Sequence, residues 1–394
     1  MNGPLVVLDG LLLAGRHTGV ENAILNLARA FLRDTEGCQV RLVAPGRTHA
    51  GSPPGEGPLH RALAACDGLQ EAEGDFSFCE VPGTGQSRLS RILWEQFNLP
   101  GFARRHGADV LHCPGYVMPI RYRGPSVLTV YDVLALQHPE WCSRLNALHY
   151  KALMPPSIRR ASAVIVPAEA VRKDLLRIVP RAEAVHVVPL GIGPEFRRVT
   201  IPAALNEVRQ RHKLPERFVL TVGNIEPKKN VEGMVAAYDR IAGDCPADLV
   251  IAGGLGWRYE AALAAIAAAK CQARIHRIGY VPQEDLPALY SLADVMLQWS
   301  RYEGFGLPPL EAMNCGTPAI VSDQGALPEV VGEGAHIVPL GDEAAFGQAI
   351  LDLVSPGEQR DAMIERGYGH AAQFTWRRHA DRVIEIYREV AGAL

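Results

Sequence analysis

The stretch Arg301-Tyr302-Glu303-Gly304-Phe305-Gly306-Leu307-Pro308-Pro309-Leu310-Glu311 carries two carboxylates separated by seven residues, with two glycines and then a Pro-Pro pair between them. The preceding run Asp294-Val-Met-Leu-Gln-Trp-Ser300 is apolar and of strand length, which puts Glu303 on the loop leaving a strand. Pro308 and Pro309 suit the first turn of a helix, where a missing N–H costs little, and Gly316 followed by Pro318 ends that helix. Glu311 is then expected in the first turn, where the helix dipole favours a carboxylate. The amides of Phe305, Gly306 and Leu307 point out of the helix start, ready for an anion. The stretch reads as a phosphate cradle with a carboxylate on either side.

Working outward, 394 residues exceed one ordinary core, so two domains are expected. With 48% hydrophobic and 21% charged residues the composition is globular, and a net charge of −3 gives no reason to expect nucleic acid. Eight cysteines without a Cys-x-x-Cys pair argue against zinc and for a reducing, cytoplasmic setting. The apolar run Leu5–Ala14 is broken by Asp9 and lacks a basic leader, so it reads as a buried strand and turn rather than a signal peptide. No segment approaches the ~20 apolar residues that span a bilayer.

The first half opens as strand Leu5–Leu8, loop Gly15–Gly19 and a helix with Val20, Ile24, Leu27 and Phe31 on one face, the opening unit of a doubly wound domain. It lacks G-x-G-x-x-G, so no nicotinamide cofactor is indicated. Gly15 and Gly19 fit a tight turn and a ligand contact equally. Gly46–Pro58 is Gly/Pro-rich and reads as a mobile loop. Over 87–106, Leu89, Ile92, Leu93, Trp94 and Phe97 lie among Arg88, Arg91, Arg104 and Arg105. This reads either as an amphipathic helix on the core or as a membrane-facing or acceptor-binding patch, and the scarcity of cations favours the core. Strands Asp109–His112 and Ser126–Asp132 place His112 and Asp132 at carboxyl ends, where doubly wound sheets hold ligands. The alternation runs on to Val188, and the polar stretch from Pro189 to Pro215 reads as the interdomain connection.

Phe218–Val222 restarts the alternation, and Asn230 is placed to cap the following helix. Lys228 and Lys229 therefore sit at a strand's carboxyl end, where two cations can neutralise a diphosphate. No Walker motif, nucleophile elbow, H-E-x-x-H cluster or Asp-x-Asp is present. What remains is metal-free anion binding by lysines and helix amides, with carboxylates suited to sugar hydroxyls. That combination describes a nucleotide-sugar site.

These residues resemble glycosyltransferase family 4. Glu303–Glu311 resembles its Glu-x7-Glu motif, Val222–Asn230 its phosphate segment, and Ile278–Val281 and Leu327–Val330 also fit; Gly15–Glu21, His112-Cys-Pro114 and Thr129–Val133 fit more loosely. The resemblance implies an α/β GT-B fold: two Rossmann-like doubly wound domains facing across a crevice, 1–195 for the acceptor and 196–373 for the nucleotide sugar. Residues 374–394 form a last helix expected to pack back on the first domain. It implies a retaining transferase moving a hexose, with mannose as first guess, from a GDP, UDP or ADP sugar to a glycan, lipid-linked sugar or small molecule, without metal or cofactor. Lys229 with Lys228 would hold the leaving diphosphate, helped by Gly304 and the amides of Phe305, Gly306 and Leu307. Glu303 would hold the transferred sugar and Glu311 the ribose. Tyr280 and Val281 would line the base, Gly19 would approach the diphosphate or acceptor, and Asp132 would stand on the acceptor side. Asn224 stands where many relatives carry a cation, and His112 would be the catalytic-side histidine. A sugar-nucleotide epimerase, a phosphorylase and a non-catalytic binding protein are the alternatives. Work at the inner face of a membrane would follow for a lipid-linked acceptor.

Overall fold

The computed structural model describes residues 3–13, 19–34, 37–46, 76–81, 84, 87–180 and 184–392. The expectations at Gly15 and for the loop beyond Gly46 lie outside them. The chain forms two compact units, one of Met1–Gln137, Arg144–Gly191 and Trp376–Leu394, the other of His138–Ser143 and Ile192–Thr375. The main boundary thus follows Gly191 rather than residue 195, and a six-residue excursion, His138–Ser143, groups with the second unit.

In the first unit the described strands are β1 (Leu5–Asp9), β2 (Gln39–Pro45), β3 (Phe76–Val81), β4 (Val110–Cys113), β5 (Ser126–Thr129), β6 (Ala163–Val166) and β7 (Val185–Val187). They form one sheet in the order β3-β2-β1-β4-β5-β6-β7, every pair parallel. Strands such as Ala163–Val166 are buried along their length, as expected of a parallel sheet covered on both faces. The strand order reverses between β1 and β4. The last helix, Trp376–Gly392, belongs to this unit and buries Val383, Ile384, Ile386 and Tyr387. Tyr387 packs beside Phe31 and its hydroxyl meets His112 Nδ1 at 2.6 Å, joining the end of the chain to β4.

The second unit has described strands β8 (Phe218–Val222), β9 (Asp248–Ala252), β10 (Ile275–Gly279), β11 (Val295–Gln298), β12 (Ala319–Ser322) and β13 (His336–Val338). Their order is β10-β9-β8-β11-β12-β13, all parallel, with the reversal between β8 and β11. Val219, Tyr238, Leu249, Leu297 and Phe346 fill one face, and Trp299 stacks on Phe346 with centroids 4.5 Å apart.

Two expectations are corrected here. The polar run to Pro215 is not all connection: Pro202–Arg211 is a helix, and Arg211 and His212 both hold Asp285, at 2.6 and 2.8 Å. The stretch 87–106 is two helices, Arg88–Phe97 and Leu99–Arg105, and the first does not bury its leucines, because its inward side carries Glu95 while Leu89, Leu93 and Phe97 are exposed.

Tyr387→Phe removes the partner of a fully buried ring nitrogen, which should cost about 1–3 kcal/mol. A lower midpoint in denaturant unfolding is expected, and an unchanged one would show that the bond contributes nothing.

Candidate active site

Ligands of doubly wound sheets bind outside the carboxyl ends of the strands where their order reverses. In the second unit that point lies between β8 and β11, and the two charged stretches leave those two strands. After β8, Gly223 has φ +141°, and a side chain there would crowd Lys229. Pro227–Lys229 makes a single 3-10 turn, and Asn230 follows in the left-handed region with φ 53°. The expected side-chain cap by Asn230 is not made; its amide Nδ2 instead donates to the Trp299 carbonyl at 3.2 Å. The Arg301 amide donates to the Lys228 carbonyl at 2.7 Å, and Arg301 Nη1 donates to the Pro227 carbonyl at 2.6 Å. Three bonds thus fasten the lysine turn to the chain leaving β11.

The result is an ion pair, Lys229 Nζ to Glu303 Oε1 at 2.8 Å, with both side chains largely buried. The same oxygen accepts from Gln298 Nε2 at 2.6 Å and Ser300 Oγ at 2.8 Å. Burial alone would raise this carboxyl's pKa, but the charges of Lys229 and Lys228 and these donors outweigh it and hold the group below its ordinary range. Glu303 is therefore ionised and fixed. Its carbonyl accepts from the Ala326 amide at 2.9 Å, and Gly325, at φ +60°, lies against the Glu303 backbone so closely that a Cβ would overlap it. Gly306, at φ +109°, starts the helix Leu307–Asn314, whose first amides have no intrahelical acceptor.

Glu311 is not in the first turn. The helix begins at Leu307, so Glu311 is its fifth residue. It accepts a bond from the Tyr290 hydroxyl at 2.9 Å. Burial pushes its pKa up to about 7, against that bond and with help from the charge of Glu195. The two acids of the motif are thus separated by environment: one ionised beside lysines, the other poised near neutrality.

Lys228, Lys229, Glu303, Gly304, Phe305, Gly306, Leu307 and Glu311 all lie on this one unit, and Asn224 is exposed between β8 and the lysine turn. Tyr280 is half-exposed and Val281 buried in the turn after β10, where the Gly279 carbonyl accepts from the Gly253 amide at 2.7 Å. In the first unit, Gly19 opens the helix Gly19–Asp34, and among the described residues nothing lies within 4 Å of where its side chain would stand. Asp132 lies past the end of β5, accepting from the Leu134 amide at 3.0 Å and facing the Tyr116 hydroxyl at 3.4 Å.

His112 is corrected. It is fully buried within β4, with Nδ1 against Tyr387 and Nε2 against Thr129 Oγ1 at 2.8 Å. Burial, with His379 nearby, pulls its pKa down to about 3. It is a neutral structural pin and offers no nitrogen to a substrate. Asp9 and Glu95, which pattern reading passed over, are buried near one another in the first unit. Burial raises Asp9 to about 6 and Glu95 well above its usual range, with the Arg91 charge opposing both shifts. The signal was available: Asp9 closes β1 at the strand reversal, and Glu95 is the one acid on its helix.

The family described as "Glycosyltransferase Family 4" matches residues 17–196, and "Glycosyl transferases group 1" matches residues 205–370. The alpha-maltose-1-phosphate synthase of Mycobacterium tuberculosis is 30% identical over 305 residues, 71% of this chain and 76% of that protein. The chain belongs to glycosyltransferase family 4. This family 4 enzyme is also similar to the O-antigen chain mannosyltransferase B of Escherichia coli, 28% identical over 283 residues, 71% of this chain and 74% of the relative. Among solved structures, Anabaena HepE in complex with UDP and glucose superposes with a TM-score of 0.72 at 17% identity, covering 97% of this chain and 98% of that one. The two parallel-sheet units are those of the GT-B fold, and the protein is a hexosyltransferase.

The pKa of Glu311 gives a signed prediction. Its folded value lies above the ordinary 4.5, so the folded state holds the proton longer than the unfolded chain does. Stability tied to that proton is complete below pH 4.5 and is lost as pH rises through about 7. Glu311→Gln should therefore raise the thermal midpoint of the unliganded protein above pH 7, with the difference vanishing towards pH 4.5. A midpoint difference that does not change with pH would contradict this.

Proposed function

We propose that this glycosyltransferase transfers a hexose, mannose by preference, from a nucleoside diphosphate sugar to a hydroxyl of a glycan acceptor, with retention and without a metal ion. The observation that carries the reading is the Lys229–Glu303 pair at the strand reversal of the second unit, with Lys228 beside it. Negative charge develops on the leaving diphosphate as the glycosidic bond breaks, and cations already in place lower that barrier most. Lys229 and Lys228 supply them, and the first amides of the helix at Leu307 point the same way. Glu303, ionised, accepts hydrogen bonds from hydroxyls of the transferred sugar. Glu311, with Tyr290 donating to it, binds the ribose. Tyr280 and Val281 flank the base, and Asp132 with the strand-end loops of the first unit recognises the acceptor.

Retention fits a front-face reaction. The glycosidic C–O bond to the diphosphate breaks, the acceptor oxygen forms its bond on the same face, and the acceptor proton passes to the departing phosphate oxygen. Glu303 is engaged by Lys229, Gln298 and Ser300, which suits a positioning anion better than a nucleophile. Mannose and polysaccharide synthesis are supported by the likeness to the O-antigen chain mannosyltransferase B. Among the described residues no helix is long and apolar enough to cross a membrane. Epimerisation and phosphorolysis have no such support.

Lys229→Ala should lower kcat by about 10²-fold or more, as removal of a charge-stabilising donor does. Near wild-type release of nucleoside diphosphate in that variant would sink the assignment. Glu303→Ala should abolish transfer while calorimetry still detects nucleoside diphosphate binding; equal loss of both would contradict its sugar-side role. A chelator should leave turnover unchanged, and restoration of a lost rate by a divalent ion would overturn the metal-free reading.

A further inference from the structure

Gln298 closes β11 and differs in kind from the strand it ends. Val295, Met296 and Leu297 are apolar, as suits a strand covered on both faces, yet Gln298 is just as buried, at 1% exposure. Its amide Nε2 donates twice, to Glu303 Oε1 at 2.6 Å and to Ser300 Oγ at 2.9 Å. An ionised carboxylate only accepts, so the NH2 end of the amide must face Glu303. The amide oxygen of Gln298 is left over, buried and without a hydrogen-bond partner among the described residues. An acceptor buried in that way costs stability. Gln298 contributes through its two N–H bonds, and both lead to Glu303.

The second of those bonds also directs the hydrogen of Ser300. Its hydroxyl accepts from Gln298, so its own hydrogen goes to Glu303 Oε1, which it meets at 2.8 Å. Ser300 is itself held, because its carbonyl accepts from the Ser322 hydroxyl, at the end of β12, at 2.6 Å. With Lys229 Nζ at 2.8 Å, three donors converge on one oxygen of Glu303. No donor among the described residues reaches the other oxygen, Oε2. The carboxylate is thus divided, with one oxygen saturated by the protein and the other left to accept.

We propose that Gln298, acting together with Ser300, is a positioning residue for sugar transfer: it commits Oε1 of Glu303 to the protein and leaves Oε2 to accept a hydroxyl of the bound hexose. When a diphosphate draws on Lys229, Gln298 and Ser300 still hold the carboxylate in place. The inference rests on the reading of Glu303 as a sugar-binding anion, and adds which of its oxygens binds and which side chains decide it.

The test uses the full chain, whichever of the GDP, UDP and ADP hexoses the parent turns over, and the matching nucleoside diphosphate alone. Gln298→Leu keeps the size of the side chain and removes both donors. It should lower kcat about tenfold or more, the loss expected for a hydrogen bond to a charged group. Calorimetric affinity for the diphosphate alone should stay within about threefold of the parent, since Lys228, Lys229 and the helix amides remain. In a Glu303→Ala background, Gln298→Leu should leave donor affinity unchanged, because the group it positions is gone. Ser300→Ala, which removes a single oxygen, should also lower kcat, and it carries the test if Gln298→Leu does not fold. A parental rate in Glu303→Ala, or a parent that turns over none of these donors, would sink the reading of the site and the inference with it. An inactive Glu303→Ala beside a parental rate in Gln298→Leu (or in Ser300→Ala, where the former does not fold) would overturn the inference alone. So would equal loss of kcat and diphosphate affinity in Gln298→Leu, or a further loss of donor affinity in the Glu303→Ala background, either of which marks a general structural role.

Discussion

A carboxylate removed from water can stay ionised only if cations and hydrogen-bond donors replace the solvent, and at Glu303 they do. Lys229 supplies the direct partner, Lys228 adds charge, and Gln298 and Ser300 donate to the same oxygen. This constraint explains the surrounding architecture. The lysine turn must be held against the exit of β11, hence the bonds from the Arg301 amide and guanidinium and from the Asn230 side chain. The backbone at Glu303 must be approached closely from below, hence glycine at 325. A site assembled this way is organised before any donor arrives.

The same pairing carries a consequence for donor binding. Lys229 cannot give its full charge to Glu303 and to a diphosphate at once. On the role proposed for Lys229, an incoming diphosphate would compete with Glu303 for the ammonium group. Hydroxyls of the transferred sugar are donors of the right kind. On the roles proposed for these residues, phosphate and sugar recognition would be coupled through one ion pair, with Gln298 and Ser300 the donors left to Glu303 when Lys229 turns to a diphosphate. Glu311 has a different kind of partner, the neutral Tyr290 hydroxyl.

What could be read from the sequence was whatever is local in the chain. The strand before Glu303, the Pro-Pro helix start, the lysines after Val222 and the alternation of two parallel sheets are all encoded within a few residues of where they act. What could not be read depends on partners far away. His112 looks like a strand-end ligand until Tyr387, 275 residues on, is seen to occupy one nitrogen. Asn230 looks like a cap until its amide is found on Trp299, across the strand reversal. Glu311 was misplaced by register alone: Gly306 in a left-handed conformation starts the helix at Leu307, which leaves the acid beyond the first turn. The helix Pro202–Arg211 is hidden by its polar surface, and Arg211 at its end and His212 just past it find Asp285 far along the chain.

The helix Arg88–Phe97 marks a different kind of limit. Periodicity reveals that a helix has two faces but not which one turns inward. The usual assumption, apolar side in, fails here because the inward position is taken by Glu95, near Asp9 and with Arg91 as the neighbouring cation. Burying Glu95 carries an electrostatic cost, visible in the upward shift that desolvation and the Asp9 charge impose on it.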